Sequence, residues 1–212
     1  MIYTIGHSTH SLQDFIALLK SRGITAIADV RSAPYSRFQP QFNREALAKS
    51  LNDSGVEYVF VGDSLGGRSA NVDDYENGRV VYARLKQNDY FENGIQRVIL
   101  GSEKYELALM CSEKEPIECH RTLLVGQTLI EHGVLVTHIH GDGTLESHEN
   151  AIQRLLKIYK LAEPDLFRTN EEIVEEALLK QEQKVAFVLG DPVKGRIGLG
   201  QLSGAEDWTE SV

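Results

Sequence analysis

Residues 24–30, ITAIADV, are the stretch that decides the fold. The run is apolar except for small or β-tolerant residues, and it follows Gly23 and ends in Asp29 and Arg31. A continuous run of this kind is typical of a strand that is buried on both faces. Such strands belong to parallel sheets that are covered by helices on both sides, so the stretch predicts an α/β fold.

The same pattern recurs outward along the chain. Besides residues 24–30, short β-rich runs predict strands at residues 2–5, 56–61, 105–110 and 134–139. Helical spacing and capping residues predict helices at residues 11–23, 43–54, 80–100, 120–132 and 145–161. This alternation predicts a domain over residues 1–162 with a five-stranded, mainly parallel, Rossmann-like three-layer sheet.

The remaining residues, 163–212, have a different composition. Asn170 begins an acidic helical stretch, which a short apolar run at residues 185–189 and a glycine-rich end follow. We interpret this part as an acidic helical C-terminal extension that packs on the domain or on a partner, and we expect its last dozen residues to be mobile. The extension is a candidate to cover a homodimer interface or the mouth of the site.

Composition limits the possible partners and the location. The net charge of −9 over 212 residues argues against a broad surface for nucleic acid or for anionic membranes. No apolar run is long enough to span a bilayer, and the start MIYTIGHS does not resemble a signal peptide. Two cysteines cannot form a disulfide framework. We therefore expect a cytoplasmic protein with free thiols.

The chemistry is concentrated in residues 110–121, MCSEKEPIECHR, at a strand-to-helix junction. Both cysteines lie there, and His120 and Arg121 follow Cys119 directly. A helix N-terminus and an arginine both favour a thiolate, so Cys119 is the candidate nucleophile. Cys111 directly follows an apolar strand, so it is either a core residue or a resolving thiol.

The carboxyl ends of parallel strands meet at one edge, where open sheets bind ligands. His120 and His7 are the candidate proton carriers there, and the arginines suggest a bound anion. An ion pair of Arg31 with Asp29 or Glu113 is the alternative for that residue. The candidate catalytic residues are Cys119, His120, His7 and Cys111, and the candidate ligand-binding residues are Ser8, Asp29, Arg31, Ser36, Arg37, Gly66, Gly67, Glu113 and Arg121.

An ordered set of short motifs is similar to the domain-of-unknown-function 488 family over about residues 1–150. The motifs are IGHS at 5–8, DVR at 29–31, P-x-S-R at 34–37, Phe42, LGG at 65–67, MCSE at 110–113, CHR at 119–121 and HI at 138–139. The family more usually has alanine where this chain has Ser112. The resemblance implies that the candidate residues at these motifs are site residues, but it implies no reaction.

Three functions remain open from the sequence. The first is a cysteine-dependent enzyme on a small anionic or nucleotide-like ligand. The second is a zinc or iron site from Cys111, Cys119, His7 and His138, with His120 as a further possible ligand, although no cofactor is required by the sequence. The third is a non-enzymatic nucleotide or nucleic-acid binding domain. Position 6 after each cysteine is Ile117 or Val125, which argues against the C-x5-R loop of cysteine phosphatases.

Overall fold

The computed structural model describes residues 1–163 and 165–190, and its centre is a six-stranded sheet. The strands are β1 Ile2–Gly6, β2 Ala26–Asp29, β3 Glu57–Phe60, β6 Leu107–Cys111, β7 Val136–Ile139 and β8 Leu145–Ser147. A separate hairpin pairs β4 Tyr75–Glu76 with β5 Arg79–Val80. The order in the large sheet is β3-β2-β6-β1-β7-β8, and only β8 is antiparallel to its neighbour.

Two hydrophobic clusters lie on the two faces of this sheet. Alternate residues of β6 separate between them, with Ala108 and Met110 in one cluster and Leu109 in the other. The eight α-helices of the described chain are α1 Leu12–Ser21, α2 Arg44–Asn52, α3 Gly62–Leu65, α4 Tyr82–Lys86, α5 Asp89–Lys104, α6 Gln127–Glu131, α7 His148–Ile158 and α8 Asn170–Val185. Helices α1 and α2 cover one face, while α5, α6, α7 and α8 cover the other. The predicted α/β class is therefore confirmed.

The sheet has one strand more than the sequence predicts. Residues 145–161 were expected to form one helix, but Leu145–Ser147 pair with β7 as the antiparallel edge strand β8. Helix α7 begins only at His148, where the Ser147 hydroxyl caps the Asn150 N–H. The helical apolar spacing lies entirely within α7, so periodicity could not show that the preceding three residues are a strand.

The strand order places a crevice between β2 and β6. These strands are neighbours, yet the chain runs from β2 to β3 on one side and from β6 to β7 on the other. Residues of α2 belong to one cluster, and residues 123–125 and Leu129, which follow β6, belong to the other. Diverging connections of this kind open a ligand crevice at the carboxyl ends of the two strands.

The predicted acidic helix is present as α8. A capping box formed by Thr169 and Glu172 begins it. After α8 the chain runs beside the β4–β5 hairpin, where Val80 N–H donates to Phe187 O and Leu189 N–H donates to Gly78 O. The glycine-rich end and its predicted mobility lie outside the described residues.

No helix within residues 1–163 and 165–190 has the length and apolar character that a membrane span requires.

Candidate functional site

A cavity of about 340 Å³ opens at the carboxyl ends of β2 and β6. Its lining residues come from five separate parts of the chain. They are Arg31, Ser32, Ala33, Gly67, Arg68, Tyr82, Cys111, Ser112, Glu113, Glu118, Cys119, His120, Lys184, Val185 and Phe187. Both cysteines and the adjacent histidine therefore reach the same cavity.

The His120 ring is fixed between the two thiols and a backbone carbonyl. Its Nε2 donates to Val30 O at 2.9 Å, and a carbonyl can only accept, so Nε2 carries a proton. Its Nδ1 lies 3.8 Å from Cys111 Sγ and 3.8 Å from Cys119 Sγ. The carbonyl thus orients the ring so that Nδ1 is the nitrogen that exchanges a proton with either sulfur.

The pKa values of the two thiols are shifted in opposite directions. A hydrogen bond from Cys119, then the charges of His120 and Arg121, hold the pKa of Cys111 well below its usual range, although burial acts against this. Burial and the bond to Cys111 raise the pKa of Cys119 well above the usual value. For His120, burial opposes the charged form, but the neighbouring Cys111 outweighs it and raises the pKa. Both directions act in favour of a negative charge on Cys111 and a positive charge on His120.

This direction differs from the sequence-based expectation of a lowered pKa at Cys119. The expected local donor is present, since the Arg121 N–H reaches Cys119 Sγ at 3.5 Å. However, both sulfurs are buried, and a buried pair so close together disfavours a second charge. Of the two thiols, Cys111 is therefore the one with the lowered pKa.

Arg121 stabilises the loop behind the thiols. Its side chain is fully buried, and its NH1 and NH2 donate to Glu113 O at 2.6 Å and Lys114 O at 3.3 Å. It begins the π-helical stretch Arg121–Gly126, a geometry that is frequent at functional sites. Arg121 does not line the cavity. From this position the charge of its guanidinium contributes to the lowered pKa of Cys111, while its predicted contact with a ligand stays a prediction.

Two glycines allow the close approaches in the crevice. A Cβ on Gly67 would lie 3.0 Å from His120 Cγ, so the absence of a side chain there admits the imidazole ring. A Cβ on Gly66 would lie 2.3 Å from Ser32 Oγ and 2.4 Å from Gly62 O. Both glycines therefore leave room for neighbouring groups of the protein. Their predicted role, the close approach of a ligand to the backbone, stays a prediction.

His7 belongs to a second buried cluster beside the cavity. Its Nδ1 donates to Ser8 O at 3.1 Å, while its Nε2 accepts from Arg31 NH1 at 3.2 Å, so the ring is neutral. It stacks on Phe42 with the ring centroids 4.2 Å apart. Burial, and then the charge of Arg31, lower the pKa of His7 to about 4. A neutral ring occupied at both nitrogens gives no support to the predicted proton-carrying role.

Arg31 forms the ion pair that the sequence left open. Its Nε and NH2 donate to the two oxygens of Asp29 at 2.9 and 2.6 Å, and both side chains are buried. Although burial acts in the opposite direction, the bond with Asp29 raises the pKa of Arg31. Tyr58 OH also donates to Asp29, at 2.7 Å. Arg31 therefore lines the cavity with its charge balanced by the carboxylate of Asp29.

The remaining predicted ligand contacts shape loops. Ser36 Oγ accepts from the N–H groups of Phe38 and Gln39, and the exposed Arg37 guanidinium lies over the Phe38 ring at 5.0 Å. Neither residue lines the cavity. Ser8 has a positive φ of 47° and its N–H donates to Ser112 O at 3.0 Å, which joins the end of β1 to the loop after β6. Glu113 does line the cavity, at its exposed rim.

One group in the described chain has metal-ligand geometry, and it is the same cluster. The ligand atoms of Cys111, Cys119 and His120 lie within 4.8 Å of one another. The sequence proposed His7 and His138 as further ligands, but the structure places neither in this group. His138 is fully buried, its Nδ1 meets Thr4 Oγ1 at 2.8 Å, and burial lowers its pKa to about 2.

Sequence reasoning missed several residues of the cavity wall. Arg68 directly follows the LGG turn after β3, so its place at a strand end was a usable signal. Tyr82 follows β5 and is buried, and burial raises its pKa well above the usual value. Lys184 and Phe187 come from the C-terminal extension, and no local pattern shows where a helix docks.

Fold and site together define an α/β protein with a Cys–Cys–His cluster in a crevice at the carboxyl edge of its sheet. Residues 11–127 match the family described as "Domain of unknown function DUF488". This match covers more than half of the 212 residues, so the chain belongs to that family, as its motifs indicated. The matched part includes the two cysteines, His120 and Arg68, and it ends before α8. No curated protein and no solved structure matches the chain.

Proposed function

We propose that the chain is a cysteine-dependent enzyme that acts on a small anionic or nucleotide-like ligand in the crevice between β2 and β6. The observation that carries this proposal is the position of His120 Nδ1, 3.8 Å from both sulfurs, in a ring that Val30 O orients. A thiol, an imidazole beside it and a third group that orients the imidazole are the parts of an activated cysteine nucleophile.

The chemistry follows from the favoured charge state. The Cys111 thiolate attacks an electrophilic atom of the ligand, and a new bond to sulfur forms as the bond to the leaving group breaks. The leaving group takes the electron pair of that bond together with the Nδ1 proton of His120. The ring is then neutral and accepts a proton from water as the remaining hydroxyl attacks the bound ligand group and breaks its bond to sulfur. Sulfur leaves with the electron pair of that bond, which restores the Cys111 thiolate and the His120 imidazolium.

Within this proposal Cys111 takes the nucleophilic role that the sequence gave to Cys119. In this proposal Cys119 stays protonated, and its neighbouring S–H stabilises the Cys111 thiolate. The two sulfurs make similar contacts with His120, so the assignment depends on which thiol loses its proton first.

The test is the alkylation rate of each cysteine at neutral pH, resolved by mass spectrometry, in the wild type and in the Cys111→Ser and Cys119→Ser variants. We expect Cys111 to react fastest in the wild type, because only a thiolate is a good nucleophile. The Cys119→Ser variant keeps a hydrogen-bond donor next to Cys111, so we expect Cys111 to be alkylated quickly in this variant as well. Equal, slow reaction of both cysteines with a small reagent contradicts the proposal.

A metal site at the same cluster is the second candidate function. Two sulfurs and a nitrogen within 4.8 Å suit zinc or iron, and they leave a further coordination position for water or a ligand. The Nε2–Val30 bond is also the kind that fixes a metal-binding imidazole. Metal analysis of the purified protein decides between the candidates, because a stoichiometric metal that protects both thiols from alkylation favours this one.

We also infer a cytoplasmic location, on the ground that an activated thiolate needs a reducing compartment. Both cysteines are free in the structure. The Rossmann-like description of the sheet and a possible homodimer stay predictions. Fractionation of cells and the oligomeric state in solution are the measurements that test location and assembly.

A further inference from the structure

Cys111 and Cys119 are held beside one another by the loop that joins them. Their sulfur atoms lie within 4.8 Å of one another, and each lies 3.8 Å from His120 Nδ1. Cys111 ends β6, and Cys119 follows the short 3-10 turn Pro116–Glu118. A disulfide bond brings two sulfurs to about 2.05 Å, so the step from this pair to the bond is a local movement of two side chains.

The loop between the cysteines is anchored to the rest of the protein at several points. Arg121 NH1 donates to Glu113 O at 2.6 Å, and the Arg121 backbone N–H reaches Cys119 Sγ at 3.5 Å. From α8, Gln181 Nε2 donates to Ile117 O at 2.9 Å. The closeness of the two thiols is therefore fixed by the packing of the loop.

The thiols are accessible to a small oxidant through the cavity. Cys111 is 4% exposed and Cys119 is 2% exposed, yet both line the cavity of about 340 Å³. A water molecule takes about 30 Å³ in the liquid, so the cavity has room for a molecule of the size of hydrogen peroxide. The same burial disfavours contact with a thiol of a second chain, so the nearest partner of an oxidised Cys111 is Cys119.

One nitrogen of His120 faces both sulfurs, which suits an oxidation in two steps. Its Nε2 is held by Val30 O, so Nδ1 is the nitrogen that exchanges protons on the side of the thiols. A proton that Nδ1 gives up when Cys111 reacts can be replaced by the S–H proton of Cys119. The same ring can therefore act as the acid for the first step and as the base for the second.

We propose that Cys111 and Cys119 form a site of reversible oxidation, in which a hydroperoxide oxidises Cys111 and Cys119 then closes an intramolecular disulfide. The inference goes beyond the proposed function, because it concerns the oxidation of sulfur and not the conversion of a ligand. The two share the reactivity of Cys111. Transient disulfides in a reducing compartment usually have a catalytic or a sensing role, which fits a pair inside the candidate site.

Hydrogen peroxide supplies the oxidising equivalents. The Cys111 thiolate attacks one oxygen, so an S–O bond forms as the O–O bond breaks, and the leaving hydroxide takes the electron pair and the Nδ1 proton of His120 to become water. The neutral ring then accepts the S–H proton of Cys119. The Cys119 sulfur attacks the sulfur of the sulfenic acid, and the S–O bond breaks with its electron pair on oxygen. The ring returns its proton to this hydroxide, which leaves as a second water.

The first test uses the wild-type protein and equimolar hydrogen peroxide at neutral pH. We expect both thiols to be lost together, the intact mass to fall by two hydrogen atoms, and the chain to stay single on a non-reducing gel. Dithiothreitol restores both thiols by exchange. Because the chain has two cysteines, such a product is the bond between Cys111 and Cys119.

Variants separate the two steps. Cys119→Ser cannot close the bond, so we expect a sulfenic acid on Cys111 that dimedone captures and that excess peroxide converts to a sulfinic acid, which dithiothreitol does not reverse. His120→Asn removes the acid and base, so the loss of both thiols slows by about a hundredfold. His132→Asn, at the end of α6, is the matched control and closes the disulfide at the wild-type rate.

Alkylation of the same samples by iodoacetamide separates this inference from the proposed function. Fast alkylation of Cys111 without an intramolecular disulfide overturns the inference and leaves the proposed function intact; Cys111 would then become a sulfinic acid while Cys119 keeps its thiol, or two chains would cross-link. Slow alkylation of both cysteines overturns the proposed function, while a disulfide in that sample still supports the inference. A stoichiometric metal that shields both thiols from peroxide overturns the inference.

Discussion

At the scale of residues, His120 lies between a backbone carbonyl and the two thiols. Val30 O accepts its Nε2 proton, so the other nitrogen faces both cysteines. The ring also depends on Gly67, whose missing side chain leaves room for it. A change at His120 or at Gly67 is therefore expected to change the pKa of Cys111.

Replacing the imidazole tests its charge. His120→Asn keeps a polar group near the thiols but removes the cation, so the pKa of Cys111 rises. Alkylation of Cys111 at neutral pH then slows by about tenfold for each unit by which the pKa exceeds the pH. The rate profile against pH measures this shift. His132→Asn, at the end of α6, is the control. A rate profile of His120→Asn that is identical to the wild-type profile would refute the ion pair between Cys111 and His120.

Filling the space at Gly67 tests the position of the ring. In Gly67→Ala the new Cβ would lie 3.0 Å from His120 Cγ and 3.3 Å from Nδ1, so the ring must shift. We expect slower alkylation of Cys111 together with a stability loss of about 1–3 kcal/mol, the usual cost of overpacking. Denaturant titration measures the second effect. Gly101→Ala, whose Cβ meets only Leu107 at 3.7 Å, leaves the alkylation rate unchanged.

At this scale the sequence singled out Cys111, Cys119 and His120, which the structure brings together in one cluster, but it did not show which thiol has the lowered pKa. Helix position and Arg121 argued for a Cys119 thiolate, and both local features are present. The order of titration depends on the mutual burial of the two sulfurs, which follows from contact between residues 111 and 119 across the loop. The motifs and the spacing of neighbouring residues do not show that residues 111 and 119 come into contact.

At the scale of elements, the strand ends explain why distant residues meet. The five predicted strands are present, and the crevice follows from the parallel neighbours β2 and β6. The missed strand β8 has three residues and pairs only at the edge, so its short pattern was hidden by the helix that follows. Sequence periodicity also did not show where α8 docks, because both its apolar residues Ile173 and Ala177 and its polar contacts meet partners that are distant in sequence.

Gln181 is the polar contact that most directly docks α8. Its Nε2 donates to Ile117 O, and its Oε1 accepts from Tyr159 OH at 2.7 Å. Gln181→Ala removes both bonds and leaves the buried Ile117 carbonyl and the half-buried Tyr159 hydroxyl without them, so we expect a stability loss of about 2–4 kcal/mol. Tyr159→Phe removes one bond and costs less. Hydrogen exchange of α8 amides, with denaturant titration, measures both, and equal exchange in all three proteins would exclude this role.

At the scale of the whole molecule, buried neutral histidines make folding sensitive to acid. Burial, and then Arg31, lower the pKa of His7 to about 4. Burial lowers that of His148 to about 4, although the charge of Glu131 acts the other way. Burial, and then the neighbouring His148, lower that of His138 to about 2. These groups take up protons more readily in the unfolded chain.

The sign of the effect follows from linkage. Above the ordinary value of 6.5 both states are unprotonated, so the full contribution to stability is present. As pH falls from 6.5 toward 4 the unfolded chain binds more protons, and stability is lost at up to about 1.4 kcal/mol per unit for each histidine. His120 has a raised pKa and acts in the opposite direction. Urea unfolding midpoints between pH 6.5 and 4 measure the net slope of stability against pH. We expect the slope to be smaller in His148→Gln. A slope in this variant equal to that of the wild type would rule out His148 as a source of the acid sensitivity.

The measurement that tests the central claim most directly is the ultraviolet titration of thiolate in the wild type, with a Cys111→Ser sample beside it. The cluster predicts about one thiolate per chain already present at neutral pH, lost on acidification, with the second thiol ionising only at alkaline pH. In Cys111→Ser the neutral-pH thiolate is lost or strongly reduced. If instead neither thiol of the wild type ionises below its ordinary range near pH 8.5, the Cys111–His120 ion pair does not exist and the account of the site is wrong.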